Sequence, residues 1–399
     1  MENRKSRAGR AGIVAGLAVV LAAGTVASAT GAPKPTPKTT TKPLAFVSKL
    51  PAVINIGSVQ DVTGPIAAYG NAGAAGVNAA VAQINREKFL GPNTKLKVQF
   101  ADSAYSATKA AEAVTKFAAD QSIIAIVGPQ VSTEALATSP IATAAKVPII
   151  YTQSSIDGVL TSKYTFRASP SLQDYYKVLP AYVAKQGCKN ISVVYPSNQP
   201  GYAAASTGVL PDEAKKNGIN ILSSTAVLIT TMDFQTVMSK VAKENPCGVM
   251  VNLTAPQMST AVTQLRQAGY KGQIYAFSGA GLGALKGAGQ DGVGVMWAND
   301  YAPGLNTKEA QAFEKIYAEA TKTYPNNFAA ETYDAVWWFA RGLKAQNCAT
   351  RECASDGLIA VGKTGFNGAQ GKLTFKNAND AVNDGFLVKW DGQTEVMVK

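Results

Sequence analysis

Short apolar runs recur along the chain, separated by longer stretches in which apolar residues return every three or four positions. INIGSV (54–59), KLKVQF (95–100), IIAIVG (123–128) and VPIIY (147–151) have the length and β-branched content of strands. GNAGAAGVNAAVAQIN, ATKAAEAVTKFAADQ and STEALATSPIATAAK between them read as helices. Strands that are apolar throughout, alternating with helices, predict a parallel sheet covered on both faces. The order then begins again. ISVVYP (191–196), NILSSTAVL (220–228), GVMVNL (248–253) and QIYAFSG (273–279) are strands, separated by AAASTGVLPDEAKKNG, DFQTVMSKVAKENP and APQMSTAVTQLRQAG. Two doubly wound α/β units therefore follow one another. TKEAQAFEKIYAEATKTY and NFAAETYDAVWWFARGLKAQ read as two further helices, and GKLTFKN with DGFLVKW as a late hairpin. These pieces suit the completion of the first two sheets better than a third domain, so the chain must cross between the units more than once.

The ends of the chain break this pattern. Arg4, Lys5, Arg7 and Arg10 precede the apolar run GIVAGLAVVLAAGTV and the small residues Ala27-Ser28-Ala29, which together read as a signal peptide over 1–29 rather than an uncleaved anchor. The mature protein is then expected outside the cytoplasm, secreted, periplasmic or at the cell surface, with no stable membrane insertion after cleavage. No Cys follows the run to carry a lipid. Residues 30–50 contain PKPTPKTTTKP and read as an extended, solvated linker.

Charge narrows the functional classes. Of the formal +12, the first 49 residues carry +7, which leaves +5 for the folded part. No cluster of Lys and Arg with interleaved aromatics accompanies it, so nucleic acid is not an expected partner. Histidine is absent from the sequence. That removes the commonest general base and the commonest zinc ligand. The four cysteines suit disulfides in an exported chain: Cys348 with Cys353 across a short loop, and Cys188 with Cys247, each just ahead of a strand and hence at one edge of a parallel sheet. No catalytic constellation is present, and the chain is not expected to be an enzyme.

Ligands of open α/β sheets gather beyond the carboxyl ends of the strands. Here those ends are VTGPIAAYG, GPQVSTE, YTQSS, YPSNQPGY, NLTAPQ and SGAGLG, rich in hydroxyls, amides, Gly and Tyr and devoid of cations. Ser132 or Thr133 stands where a helix cap belongs, either serving that helix alone or offering a hydroxyl beside free backbone N–H groups to a carboxylate or carbonyl. Gln130 precedes them, and Gln153, Ser154 and Ser155 close the next strand in the same manner. Tyr69 and Tyr202 occupy loop positions beside glycines, Thr254 opens the last helix of the second unit, and Gly279 and Ala280 follow its last strand. GAGLGA (279–284) fits G-x-G-x-x-A, with Asp300 near the spacing of a ribose-binding acid. The stretch does not continue as a long amphipathic helix, and no dinucleotide or other cofactor is expected.

VTGPIAAYGNAGAAGVNAAVAQIN, ADSAYSATKAAEAVTKFAAD and IVGPQVSTEALATSPIATAAKVPIIYTQSS, followed by ETYDAVWWFARGL, FNGAQGKLTF and GFLVKWDG, together resemble the branched-chain amino acid binding proteins of the type I periplasmic-binding fold, over residues 51–399. The resemblance implies an α/β fold of two Rossmann-like doubly wound lobes joined by three crossovers, with 51–168 plus 301–363 as lobe 1 and 169–300 plus 364–399 as lobe 2. It implies capture of a small amino acid-like, amide or carboxylate ligand in the interlobe cleft and its delivery to the permease subunits of an ABC transporter. A ligand-sensing receptor module of the same fold is the alternative. Ser132 resembles the residue that receives the ligand carboxylate, and Gln153 and Ser155 fall where an amino acid head group meets a backbone carbonyl and a hydroxyl. Tyr69 falls on the aromatic after the first strand, while Tyr202 is displaced by two with Pro200 in the usual place. Ala280 stands where relatives carry a glutamate for the ammonium group. Asp174, near the first crossover, is a candidate substitute; otherwise the ligand has no ammonium, since burying one without a counter-charge is costly.

Overall fold

The computed structural model describes residues 48–383 and 385–398. The signal-peptide expectation at 1–29 and most of the linker expected at 30–50 lie outside the described residues. Residues 48–50 already belong to the folded body: the Ser48 hydroxyl donates to the Leu90 carbonyl at 2.9 Å, the Lys49 N–H donates to Asn347 Oδ1 at 2.8 Å, and Leu50 is buried in the core.

In chain order the first half runs β1 (Val53–Gln60), α1 (Ala67–Arg86), β2 (Lys95–Asp102), α2 (Ala107–Ala119), β3 (Ile123–Val127), α3 (Ser132–Ala144), β4 (Ile149–Tyr151) and β5 (Thr165–Arg167). The second runs α4 (Leu172–Lys185), β6 (Asn190–Pro196), α5 (Pro200–Ala204), α6 (Leu210–Lys216), β7 (Asn220–Val227), α7 (Gln235–Lys243), β8 (Gly248–Val251), α8 (Ala255–Gln267), β9 (Gln273–Ala276) and β10 (Met296–Asn299). Then follow α9 (Lys308–Thr321), α10 (Asn327–Gln346), α11 (Arg351–Thr364), β11 (Phe366–Gly368), β12 (Gly371–Lys376), β13 (Asp380–Val382), β14 (Phe386–Trp390) and β15 (Glu395–Met397).

Among the described residues the strands form two sheets, in the orders β11-β12-β13-β5-β4-β3-β1-β2 and β15-β14-β10-β9-β8-β6-β7. The central strands β3 (IIAIV) and β8 (GVMV) are buried at every position, as strands covered on both faces must be. At the edge, β7 alternates exposed and half-buried residues because only one of its faces is packed. Helix α10 is buried along almost its whole length, with Trp338 and Phe339 fully enclosed in the core of lobe 1. The chain passes between the sheets three times: after β5, after β10 and after β13.

The lobe boundary expected at 364 is corrected to the stretch between β13 and β14. Strands β11 to β13 extend the first sheet, and only β14 and β15 extend the second. The expected late hairpin of GKLTFKN with DGFLVKW is therefore also corrected, because the two strands lie in different sheets. Strand β13 is fixed in the first sheet by parallel pairing of Asp380 with Arg167, whose guanidinium grips the Asp380 carboxylate at 2.7 and 2.9 Å. Strand β14 instead pairs antiparallel with β10.

Cys188 and Cys247 are bonded at the amino-terminal ends of the neighbouring strands β6 and β8, with Cα atoms 5.4 Å apart. Cys348 and Cys353 close the turn between α10 and α11, with Cα atoms 6.0 Å apart. Among the described residues no helix is long and apolar enough to cross a membrane.

Candidate functional site

In each sheet the strand order reverses beside the first strand of its unit, at β3-β1-β2 and at β8-β6-β7. Connections at such a point leave toward opposite faces, so the carboxyl ends of the two central strands open a crevice. Both crevices meet here around one cavity of about 60 Å³. Lobe 1 lines it with Ile66, Tyr69, Gln130, Val131, Ser132, Gln153, Ser155 and Phe328, and lobe 2 with Gln199, Gly201, Tyr202, Thr254, Phe277 and Ser278. No side chain in this lining is charged.

The backbone after β3 turns at Gly128, where φ is 88° and a Cβ would meet the Val59 carbonyl oxygen at 2.1 Å. Only glycine fits that approach, which is why the strand ends in Gly-Pro-Gln. Val131, not Ser132 or Thr133, is the N-cap of α3, and its side chain makes no capping bond. Ser132 is thus the first helical residue. It is 6% exposed and lies at the cleft wall, its hydroxyl aimed toward Gly201 of lobe 2. The first N–H groups of α3 have no intrahelical acceptor and concentrate positive potential beside it. Gln130, buried, leaves Oε1 without a donor. The wall therefore offers donors for an anionic oxygen.

Aromatic rings make the rest of the cavity. Tyr69 stacks on Phe328 with centroids 4.4 Å apart and an interplanar angle of 11°. Across the cleft its hydroxyl accepts the Ala255 N–H, the first amide of α8, at 2.8 Å. Burial pushes the Tyr69 phenol up to about 12, so it stays protonated. Phe277 is held among Tyr202, Tyr176 and Tyr175 at centroid distances of 5.3, 5.6 and 5.7 Å. The Gln199 side chain caps α5 by accepting the Tyr202 N–H at 3.1 Å, which sets Tyr202 against the cavity.

Gln153 reaches the cavity in a left-handed backbone conformation with φ of 52°. Its N–H donates to Glu331 Oε2 at 2.7 Å, and its side-chain amide donates to Glu331 Oε1. Glu331 and its neighbour Asp300 are fully buried and stand behind Gln153, outside the lining. Burial first, and the other's charge second, push the Glu331 carboxyl well above the usual range; burial pushes Asp300 up to about 6. The Tyr175 hydroxyl also donates to Glu331, at 3.4 Å. The pair orders the rear of the site: Glu331 holds its proton, and Asp300 keeps a negative charge at neutral pH, buried behind Gln153 and outside the lining.

Tyr69, Gln130, Ser132, Gln153, Ser155, Tyr202 and Thr254 are thus brought together. Four other candidates stand elsewhere, as corrections to the sequence reading. Thr133 is exposed, one step beyond Ser132 along α3. Ser154 is buried behind the wall, donating to the Pro129 carbonyl at 3.3 Å. Gly279 is packed so that a Cβ would meet the Leu253 carbonyl oxygen at 2.2 Å. Ala280 is fully buried in the apolar core of lobe 2, because the tight turn Ser278–Ala280 sends the side chain away from the cleft. Asp174 is corrected as a substitute counter-charge: its carboxylate takes Lys177 Nζ at 2.6 Å, Lys376 Nζ at 2.9 Å and the Ser171 hydroxyl at 2.7 Å. GAGLGA opens a turn rather than a helix, and Asp300 faces Glu331 rather than a ribose site.

Sequence reasoning missed Ile66, Val131, Gln199, Gly201, Phe277, Ser278 and Phe328. All but Phe328 fall within or beside the strand-end stretches, where taking every polar or aromatic residue would have found Gln199, Phe277 and Ser278 but not Ile66, Val131 or Gly201. Phe328 sits in the first turn of α10, whose apolar period marks a buried helix without marking which residue meets a cleft.

The periplasmic binding protein family model matches residues 53–395. A Leu/Ile/Val-binding protein, BraC3, from Rhizobium johnstonii is 24% identical over 358 residues, covering 87% of this chain and 94% of that one. The leucine-binding protein LivK of Thermotoga maritima shares the fold with a TM-score of 0.78 at 22% identity, covering 87% of this chain and 98% of the other. An ABC transporter solute-binding protein of R. palustris solved with benzoate shares it with a TM-score of 0.77 at 19% identity, covering 87% and 95%.

Proposed function

From the premise that this chain belongs to the periplasmic binding protein family, we propose that its cleft captures a small carboxylate with a planar or apolar body and no ammonium group. The uncharged lining carries this reading. An α-ammonium enclosed there would lose its hydration with no carboxylate facing it, at a cost of several kcal/mol. A carboxylate fares differently, because the α3 N-terminus and the Ser132 hydroxyl supply hydrogen bonds and positive potential without a cation. The rings of Tyr69, Tyr202, Phe277 and Phe328 then enclose the body of the ligand. The benzoate carried by the R. palustris structure is a ligand of this class; the branched-chain amino acids named for other relatives are not.

The chain is exported, closes around its solute and presents the closed form to an ABC permease. Contacts from both lobes favour the closed state, and only that difference in affinity shifts the population. Calorimetric titration with benzoate and 4-hydroxybenzoate tests the reading. Ser132→Ala, which removes a hydrogen bond to a charged group, should weaken binding roughly tenfold or more. Absence of heat with either acid, with binding of leucine instead, would reverse the assignment.

A further inference from the structure

Behind the ligand cavity the crossovers between the lobes meet at Asp300, the first residue after β10. Its backbone carbonyl accepts the side-chain amide of Asn383, from the third crossover, at 2.8 Å. Its carboxylate meets the Glu331 carboxyl of α10. Tyr175, in α4 just beyond the first crossover, donates its hydroxyl to Glu331 Oε1 at 3.4 Å. This acid pair is divided between the lobes. Glu331 belongs to the core helix of lobe 1, whereas Asp300 ends a lobe 2 strand and Tyr175 packs in the core of lobe 2.

Both acids are fully buried, and among the described residues neither forms a salt bridge. The donors that face them are neutral: the Gln153 N–H and side-chain amide, the Tyr175 hydroxyl and the Asn327 side-chain amide. Two carboxyls in contact without a cation do not both ionise, so the closed form keeps a proton on Glu331. The neighbouring titratable groups are tied within one lobe. Asp334, further along α10, accepts the Ala369 and Gln370 N–H groups at 2.7 and 3.0 Å. The Tyr301 hydroxyl donates to Glu314 at 3.1 Å. Glu395, which borders Gly281 together with Asn327, accepts the Leu282 N–H at 3.0 Å.

We propose that Asp300 and Glu331 form a proton-operated latch at the hinge: closure takes up one proton, and Glu331, holding it, positions Gln153 at the cavity wall. Opening moves Asp300 and Tyr175 away from Glu331 and admits water, which returns the Glu331 carboxyl toward its ordinary range and releases the proton. The closed form therefore binds the proton more tightly than the open form. The ratio of closed to open is greatest at low pH and falls as pH rises between the open-form and closed-form ranges of Glu331, by up to about tenfold per pH unit. Affinity for a solute that binds the closed form falls with it.

The test uses the full chain without ligand. Spin labels replace Lys116 of lobe 1 and Lys240 of lobe 2, both exposed, and double electron–electron resonance reads the closed and open populations. Between about pH 6.5 and 8 the ratio of closed to open should fall roughly tenfold or more. Glu331→Gln keeps a donor and an acceptor but cannot titrate, so it should flatten this dependence. Asp300→Asn removes the like charge and offers an N–H to ionised Glu331; it should flatten the dependence too, and decides the matter alone if Glu331→Gln does not fold. Glu395→Gln should retain the wild-type slope. A wild-type ratio that does not move with pH overturns the proposal. So does a slope that survives in Glu331→Gln and Asp300→Asn, or one that Glu395→Gln abolishes. The readout needs no solute, so a failure of benzoate to bind would sink the carboxylate reading of the cleft and leave this result standing.

Discussion

Tyr69→Phe is the sharpest probe of cleft closure. The Tyr69 hydroxyl accepts the Ala255 N–H at 2.8 Å, joining a lobe 1 helix to the first amide of a lobe 2 helix. Phenylalanine keeps the ring, its stack on Phe328 at 4.4 Å and nearly all of its volume. The hydroxyl disappears, and with it the acceptor for the Ala255 N–H and a second contact across the cleft, to the Tyr202 hydroxyl. In the closed form the Ala255 N–H is then buried without a partner, at a cost of about 1–3 kcal/mol. In the open form water satisfies the same N–H, so the penalty falls on closure alone. Ligand affinity should drop about fivefold to a hundredfold, with little change in the melting midpoint of the ligand-free protein. Calorimetry with benzoate reads the first quantity and scanning calorimetry the second. Wild-type affinity in Tyr69→Phe would refute the reasoning, as would a fall in ligand-free stability large enough to account for the lost binding.

Three other outcomes are expected. Ala280→Glu places a carboxylate in the apolar core of lobe 2, so it should destabilise the fold by about 3 kcal/mol or more in chemical unfolding and confer no affinity for leucine in calorimetry. Burial pushes the Glu395 carboxyl from 4.5 up to about 7; the folded state therefore holds a proton that the unfolded state releases, and stability falls as pH rises from about 4.5 to 7, by about 3 kcal/mol. Glu395→Gln should match wild type in urea at pH 4.5 and exceed it at pH 8, whereas parallel pH profiles would contradict the assignment. Replacing Cys188 and Cys247 by serine frees a loop spanning 59 residues and should cost about 4 kcal/mol in urea, roughly twice the loss from opening the Cys348–Cys353 loop.

The parts of the fold that were legible in the sequence are those set by local period. IIAIV and GVMV can be little other than central strands, and the hydroxyl-rich ends of such strands had to face a crevice. Long-range choices were not legible. Three-residue strands such as β5 and β13 carry no period, and their pairing rests on Arg167 meeting Asp380, 213 residues away. That contact, with the Asn379 bonds to Thr165 and Arg167 and the Asp334 bonds to Ala369 and Gln370, places β11 to β13 on lobe 1. Ala280 shows the same limit on a smaller scale, because one turn at Ser278–Ala280 decides whether a side chain faces ligand or core. The Asp300–Glu331 pair was likewise invisible, since two acids 31 positions apart have no common pattern until α10 is packed against the end of β10.

The selection of a carboxylate without an ammonium is tested most directly by a matched pair, 4-methylpentanoate against leucine, which differ only in the α-ammonium. Calorimetric titration of both into the protein at pH 7 should show the deaminated acid bound roughly tenfold or more tightly, the uncompensated burial of an ammonium accounting for the gap. Tighter binding of leucine would contradict the account, because it would require a counter-charge that the lining of this cleft does not contain.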